Sequence, residues 1–432
     1  MSRAMKDSEV PWIGDMPNTW RIERGRHIFT LLERPVPEGA KVVTCFRDGE
    51  VTLRENRREE GFTISLKEIG YQGIEPGDLV VHGMDGFAGS IGISDSRGKC
   101  TPVLNILDSS QNKKFLMYYL RNMAYGEVFV SLATGIRQRS CDTNWKKLRE
   151  IEYAVPPLEE QERIADFLDV KTQEVDAAIV KTRESIEEYQ KLKQSVITQA
   201  VTKGIRPNRN MKDSGAEWIG EIPEEWARVR FKDVFALQKG LSITKDDLRE
   251  TGVSVISYGQ VHSKKNTGTG LSPSLIRFVD EEYLITHPEA LVRIGDFIFA
   301  DTSEDMEGCG NCVYVNEEFL LFAGYHTVIA RPKQPHYFRY FAYQFQSALW
   351  RSQLRCRVFG IKVYSVSQKI LCTTTALLPP LQEQQEIVAY LDEKCGAIDA
   401  LIEKKQQIIT ELESYKKSLI CEYVTGKKEV PA

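Results

Sequence analysis

One long amphipathic segment occurs twice in this chain, and nothing else in its 432 residues constrains the fold as strongly. It opens as PPLEEQERIADFLDVKTQEV at Pro156 and again as PPLQEQQEIVAYLDEKCGAI at Pro379, 223 positions later and without a gap. Identical pairs include Glu160/Glu383, Gln161/Gln384, Ile164/Ile387, Leu168/Leu391, Asp169/Asp392 and Asp176/Asp399. A shorter echo stands ahead of each: MKDSEVPWIGDMPNTW from Met5 and MKDSGAEWIGEIPEEW from Met211. Two units, each a variable body followed by a shared helical arm, suit a molecule that grips two different things a fixed distance apart.

Both arms open with Pro-Pro, which ends the preceding strand. Glu159, Glu160 and Glu162 then occupy the first turn, where carboxylates favour a helix N-terminus. Apolar positions step by four and three from Ile164 to Ala200 and from Ile387 to Tyr423, the signature of a heptad seam. Thr172, Thr182, Lys193, Lys405 and Lys416 weaken that seam; Ala178, Leu192, Leu401 and Tyr415 are expected to widen it. Gly204 and Pro207 stop the first arm and Gly426 the second, while Cys395-Gly396 is expected to interrupt the second. About 45 residues at a rise of 1.5 Å give each arm roughly 65–70 Å. The simplest way to cover both stripes is arm against arm, and antiparallel pairing would set the bodies at opposite ends. The plainer reading is a dimerisation coiled coil with another chain.

The expected fold class is therefore mixed α/β (α+β) for two target-binding bodies separated by an intramolecular antiparallel coiled coil, with a pseudo-twofold internal repeat. The boundaries read as a first body over 1–155, a first arm over 156–206, a second body over 207–378 and a second arm over 379–432. Strand-like runs lie at 78–82, 90–93, 254–257, 296–300 and 312–315, and helix-like stretches at 112–125 and 337–354. Gly77-Asp78 and Gly295-Asp296 are shared landmarks ahead of an apolar strand.

No apolar run approaches the roughly 18 residues of a membrane span, and the first residues lack the apolar core of a secretory signal. Nine irregularly placed cysteines fit a reducing compartment, so a cytoplasmic location is expected. The net charge of −4 argues at first against a nucleic-acid partner, but the charge is unevenly spread. No carboxylate occurs between Glu318 and Glu383, a stretch that holds Arg351, Arg355, Arg357 and Lys362. In the first half, basic residues crowd 96–149.

No catalytic set emerges. There is no phosphate loop, no glycine fingerprint between strand and helix, and no Asn-Pro-Pro-aromatic or Asp-Pro-Pro-aromatic tetrapeptide of an amino-methylating enzyme. The histidines lack ligand spacing, and Cys309-Gly-Asn-Cys312 would need a second ligand pair to hold zinc, so no metal site is expected. The clusters that could bind DNA are Arg97, Lys99, Arg137, Gln138, Arg139, Lys146 and Lys147 in the first body and Arg351, Arg355, Arg357 and Lys362 in the second. Arginines leading into a glycine-containing loop can lie along phosphates and bring the loop to base edges. A single arginine is more often a solvated charge; clusters at matching distances from their arms are harder to dismiss. Tyr340, Phe341, Phe345 and Trp350 read as core.

The Pro-Pro-Leu-x-Glu-Gln opening of each arm, the Trp-Ile-Gly-x-x-Pro-x-x-Trp segments at 12–20 and 218–226, and Phe299-Ala-Asp-Thr-Ser-Glu304 together resemble the DNA-specificity subunit of type I restriction-modification enzymes. The resemblance spans the chain in the order body, arm, body, arm. It implies a non-catalytic subunit whose bodies each read half of a split, asymmetric site in double-stranded DNA, with the arms as a ruler. It also implies two docked methyltransferase subunits that bind S-adenosylmethionine and methylate adenine at N6, joined by motor-nuclease subunits for cleavage. The chain itself would bind no cofactor. Repeated outer faces of the arms, Glu160, Gln161, Asp169 and Lys171 with Glu383, Gln384, Asp392 and Lys394, would receive the two methyltransferase subunits. The competing class is a coiled-coil scaffold that joins two protein partners without DNA.

Overall fold

The computed structural model describes residues 3–57, 68–132, 143–216, 219–334, 337–360 and 362–431. It divides into two compact units, 1–182 with 406–432 and 183–405.

In unit 1 an antiparallel sheet is built from β1 (Thr30–Leu31), β2 (Leu79–His82), β3 (Ile91–Ile93) and β4 (Leu104–Asp108), in the order β1-β4-β2-β3. The Gly77-Asp78 landmark explains how β2 starts. Gly77 takes a left-handed φ of 87°, and the buried Asp78 accepts the Glu75 amide at 2.8 Å and Arg34 Nη2 at 3.0 Å. Helix α1 (Lys113–Tyr125) follows, with Asn112 accepting the amides of Lys114 and Phe115 at its N-terminus. Unit 1 closes with the first part of α2 (Leu158–Lys203). Trp20, Phe115, Tyr153, Ile164, Leu168 and Ile420 are among its core residues, so body and helices share one apolar interior. Each such fully buried side chain stabilises by roughly 1.5–3 kcal/mol.

Unit 2 repeats the plan. Strands β5 (Phe235–Lys239), β6 (Phe297–Ala300), β7 (Cys312–Tyr314) and β8 (Thr327–Pro332) pair in the order β5-β8-β6-β7, the same layout as in unit 1. Gly295 (φ 93°) and Asp296 repeat the landmark, and Asp296 takes the Arg293 amide at 2.9 Å. Its cation is Arg331 on β8, at 2.8 Å, whereas Arg34 lies beyond β1: an equivalent carboxylate is neutralised from a different strand. The stretch expected as one helix over 337–354 is two, α3 (Phe338–Gln346) and α4 (Ala348–Arg355). Ser347 is extended (ψ 139°) and its hydroxyl accepts the Trp350 amide at 3.3 Å, so a serine that ends one helix starts the next. Tyr340, Phe341, Phe345 and Trp350 are buried, as read from the sequence.

The two long helices form as expected: α2 and α5 (Leu381–Val424). Helical structure runs unbroken through Cys395 and Gly396, so the expected interruption does not occur. Within unit 1 the 158–182 part of α2 lies antiparallel to the 406–424 part of α5: Phe167 meets the Tyr423 ring at 4.5 Å and Asp176 pairs with Lys416 at 2.6 Å. Within unit 2 the 183–203 part packs antiparallel to the 381–405 part, with Lys193 on Asp399 at 2.7 Å and Lys405 over Tyr189 at 5.7 Å. The two ion pairs are repeat mates, one interaction seen twice. Seam positions such as Ile164, Leu168, Val175 and Ile179 are buried, but Leu192, Leu401 and Tyr415 stay exposed and do not widen the seam. No helix of the described residues is long and apolar enough to cross a membrane.

Candidate nucleic-acid interface

The shared Trp segments form a small hairpin in each unit. Met5–Asp7 pairs with Asp15–Pro17, and Met211–Asp213 with Glu221–Pro223 in the same register. Each hairpin delivers a tryptophan to the start of a long helix. Trp20 Nε1 donates to Glu160 at 3.1 Å and Trp226 Nε1 to Glu383 at 2.9 Å. An arginine completes each cluster: Arg3 bonds Glu160 at 2.9 Å and Arg209 bonds Glu383 at 3.2 Å. Gln161 and Gln384 hold the preceding prolyl carbonyls at 2.9 and 2.8 Å and accept the amides of Asn112 and Tyr337. Asp169 receives Lys114 and Tyr118, and Asp392 receives Arg339 and Tyr343. Burial raises the pKa of both tyrosines, Tyr118 and Tyr343.

These bonds correct the expected partner-docking faces. Gln161, Glu383 and Gln384 are buried, and Glu160, Asp169 and Asp392 are engaged by their own body. They are repeated because each body is seated on its helix in the same way. Lys171 and Lys394 pair instead with Glu174 and Glu393 on their own helices, at 2.8 and 2.9 Å. Other repeat mates are exposed and apolar, namely Leu158 with Leu381 and Leu192 with Tyr415.

On this common seat the loops differ. In unit 2 the 301–311 loop leaves β6 and returns to β7. Its first residues, Thr302–Ser303, pair antiparallel with Tyr364–Ser365, and the Val366 amide donates to Asp301 O at 2.7 Å. The Tyr364–Val366 stretch is thereby stitched to the 301–311 loop. Arg355 adds a bond to Glu307 O at 2.9 Å. Arg351 donates to Phe345 O, Asn311 Oδ1 and Gln346 Oε1 at 3.0, 2.8 and 2.6 Å, and its pKa is lowered by burial. Asn311 in turn meets His262 Nδ1 at 3.1 Å, and His262 Nε2 lies 2.7 Å from Thr302 O. With Nδ1 accepting from the amide, Nε2–H donates to the carbonyl, which sets the tautomer. Tyr258 packs edge-on to both His262 and His326, and His326 pairs with Asp301 at 3.3 Å. A cleft of about 570 Å³ opens here, lined in part by Tyr258, Ser303, Glu304 and Asp305.

Arg351, expected to contact DNA, is thus a brace for the loop. Arg355 is partly committed to the same brace. Arg357 and Lys362 are exposed. Exposed Glu304, Asp305 and Glu307 share the neighbourhood, so the face is mixed in charge. Carboxylates can accept from cytosine N4 while cations take phosphates or guanine, a combination suited to reading base edges. Sequence spacing gave no sign of Tyr258, His262, His326 or Asn311, because separate loops bring them together.

In unit 1 the 83–90 loop leaves β2. His82 Nδ1 accepts the amides of Met84 and Asp85 at 3.2 and 3.0 Å, and burial lowers the pKa of His82. Thr143 N donates to Gly83 O at 2.8 Å, the counterpart of the Val366–Asp301 stitch. Lys146 and Lys147 follow on the turn Trp145–Leu148, with Lys146 exposed. Arg97 pairs with Glu75 at 3.1 Å and remains mostly exposed, whereas Lys99 is largely covered and held by Glu68 at 2.6 Å. Arg137, Gln138 and Arg139 lie outside the described residues. No group of three His, Cys, Asp or Glu among the described residues is arranged to hold a metal ion. Cys312 is buried, its thiol pushed up to about 12 by burial.

A model of the type I restriction modification DNA specificity domain matches residues 223–414. The chain is 27% identical over 289 residues to the MjaVIII specificity subunit of a type I restriction enzyme from Methanocaldococcus jannaschii. Over that span the chain is therefore similar to the DNA specificity domain of type I restriction enzymes. That alignment covers 66% of this chain and 64% of the relative, just under two thirds of its length. A putative MjaX specificity subunit of the same organism is 25% identical over 340 residues, covering 76% and 72% of the two chains. The fold is also that of a chain in a solved type I restriction-modification system, with a TM-score of 0.71 at 17% identity over 96% of this chain and 99% of that one.

Proposed function

We propose that this chain is the recognition subunit of a type I restriction-modification complex and reads a bipartite, asymmetric site in duplex DNA. The observation that carries the reading is a frame built twice with different loops on it. The same four-stranded order, the same Trp–Glu–Arg cluster and the same interhelical ion pair recur in both units. The loops leaving β2 and β6 share neither length nor chemistry. Unlike loops on like frames read unlike half-sites. Arg97, Lys146, Arg357 and Lys362 supply salt-sensitive phosphate contacts, and the 83–90 and 301–311 loops discriminate base edges. The 46-residue α2 and 44-residue α5 fix the gap between the half-sites.

The chain performs no chemistry in this reading. Two methyltransferase subunits carrying S-adenosylmethionine methylate adenine, and motor-nuclease subunits join them for cleavage, all in the cytoplasm. Leu158 with Tyr415 in one unit, and Leu381 with Leu192 in the other, support two equivalent docking positions for one partner. Long-read mapping of methylated adenines tests the reading, in cells carrying the chain and its partner subunits. A split motif with a constant gap is expected. Methylation scattered without a motif, or a continuous motif, overturns it.

A further inference from the structure

Unit 2 holds one aromatic ring out in solvent at the end of α4. Phe359 is 85% exposed, although Val358 beside it is only 6% exposed. The turn that carries it is tight, since a Cβ on Gly360 would stand 2.1 Å from Val363 O. Both ends of the turn are anchored. The amides of Arg357 and Val358 bond Leu354 O at 2.8 and 3.0 Å, and Tyr364–Ser365 pairs with Thr302–Ser303. Exposed Arg357 and Lys362 flank the ring. A lone exposed apolar side chain is ordinary on a protein surface. Here the ring stands on a turn anchored at both ends, with one exposed cation two residues before it and another three residues after it.

We propose that Phe359 is an apolar finger that inserts into the base stack of the second half-site, with Arg357 and Lys362 on the neighbouring phosphates. The inference rests on the DNA-reading function proposed above and adds a way of reading. An inserted ring unstacks one step and kinks the duplex. The energy of that deformation depends on the step, lowest at TA and CA/TG, so the finger selects sequence without a hydrogen bond. The occupant is duplex DNA because the residues on either side of the ring are cationic, no carboxylate occurs in the sequence between Glu318 and Glu383, and the acidic side chains of the adjoining 301–311 loop can accept from cytosine N4. An apolar protein partner would need no such flanks.

The test uses the full chain with a pool of duplexes randomised at the centre. The enriched duplex is resynthesised with 2-aminopurine at successive positions. Wild type should brighten the probe at one pyrimidine–purine step of one half-site. Phe359→Ala should abolish the brightening and weaken binding about tenfold, within the range of aromatic–base contacts, while Phe359→Trp retains both. If a duplex is enriched but never brightens, and Phe359→Ala binds as wild type, the finger is overturned while the recognition function stands. If no duplex is enriched, both fall. If Phe359→Ala leaves DNA binding intact but releases a methyltransferase subunit, the ring belongs to a protein contact and the proposal fails.

Discussion

The indole of Trp226 is bonded to Glu383 across 157 positions of sequence, and Trp20 to Glu160 across 140. Bodies of different length thus return to the same contact. The difference is absorbed by loops and small strands, and the start of each long helix is held by one tryptophan and one arginine.

The two clusters are unequal in burial, and their mutants should differ. The side chains of Arg209 and Glu383 are 11% and 3% exposed, those of Arg3 and Glu160 17% and 15%. Glu383→Gln removes the buried counter-charge of Arg209 and leaves it only the exposed Glu225, a loss of about 3 kcal/mol. Glu160→Gln should cost about 1 kcal/mol. Chemical denaturation of the two variants checks the order; equal losses would contradict it.

His82 makes unit 1 sensitive to mild acid. Burial lowers its pKa below the ordinary 6.5, with Asp85 opposing and Arg47 reinforcing the shift. The unfolded chain therefore takes up the proton first. Stability from this group is complete above about 6.5 and declines as pH falls toward the folded-state value. Protonation of Nδ1 would also break its bonds to the Met84 and Asp85 amides. His82→Asn, which keeps an acceptor, should flatten the decline in melting temperature between pH 7 and 5 relative to wild type. Parallel curves for the two proteins would count against this role.

Arg351 and Arg357 sit six residues apart and should behave differently. Arg357→Ala should lower DNA affinity for all sequences and reduce the salt slope by about one. Arg351→Met strands the acceptors on Phe345, Asn311 and Gln346, so stability should fall by about 2 kcal/mol with the salt slope unchanged. Salt titrations paired with thermal melts separate the two. A reduced slope without lost stability for Arg351→Met would restore it as a phosphate contact.

Helix length should set the gap between half-sites. Four residues inserted after Glu184 and after its repeat mate Gln407 add about 6 Å to each helix. Methylome mapping should show both half-sites unchanged and their spacing altered. An unaltered spacing would remove the helices from that role.

Much of this was legible in the sequence because periodicity and repetition report local environment. The seam from Ile164 to Ala200, the Gly-Asp landmarks and the strands near 79–82 and 297–300 all follow from spacing alone. Identity between repeats was harder to interpret. Glu160/Glu383 and Gln161/Gln384 match because each meets the same internal partners, and sequence cannot tell an internal seat from an external dock. The break at Ser347 hides in an aromatic run, since a serine cap and a helical serine look alike without backbone angles. Arg351 was counted with the other charges because composition carries no information about burial. His262 and His326 looked isolated for the same reason: Tyr258 joins them only in space.

The twin seats at Glu160 and Glu383 have a consequence for how such a molecule acquires new targets. Rigidity is concentrated where helix, hairpin and body meet, and the side chains of Arg357, Phe359 and Lys362 stand outside the interior. Substitutions there can alter preference while leaving folding intact, so novelty in what is recognised need not wait for compensating repairs elsewhere.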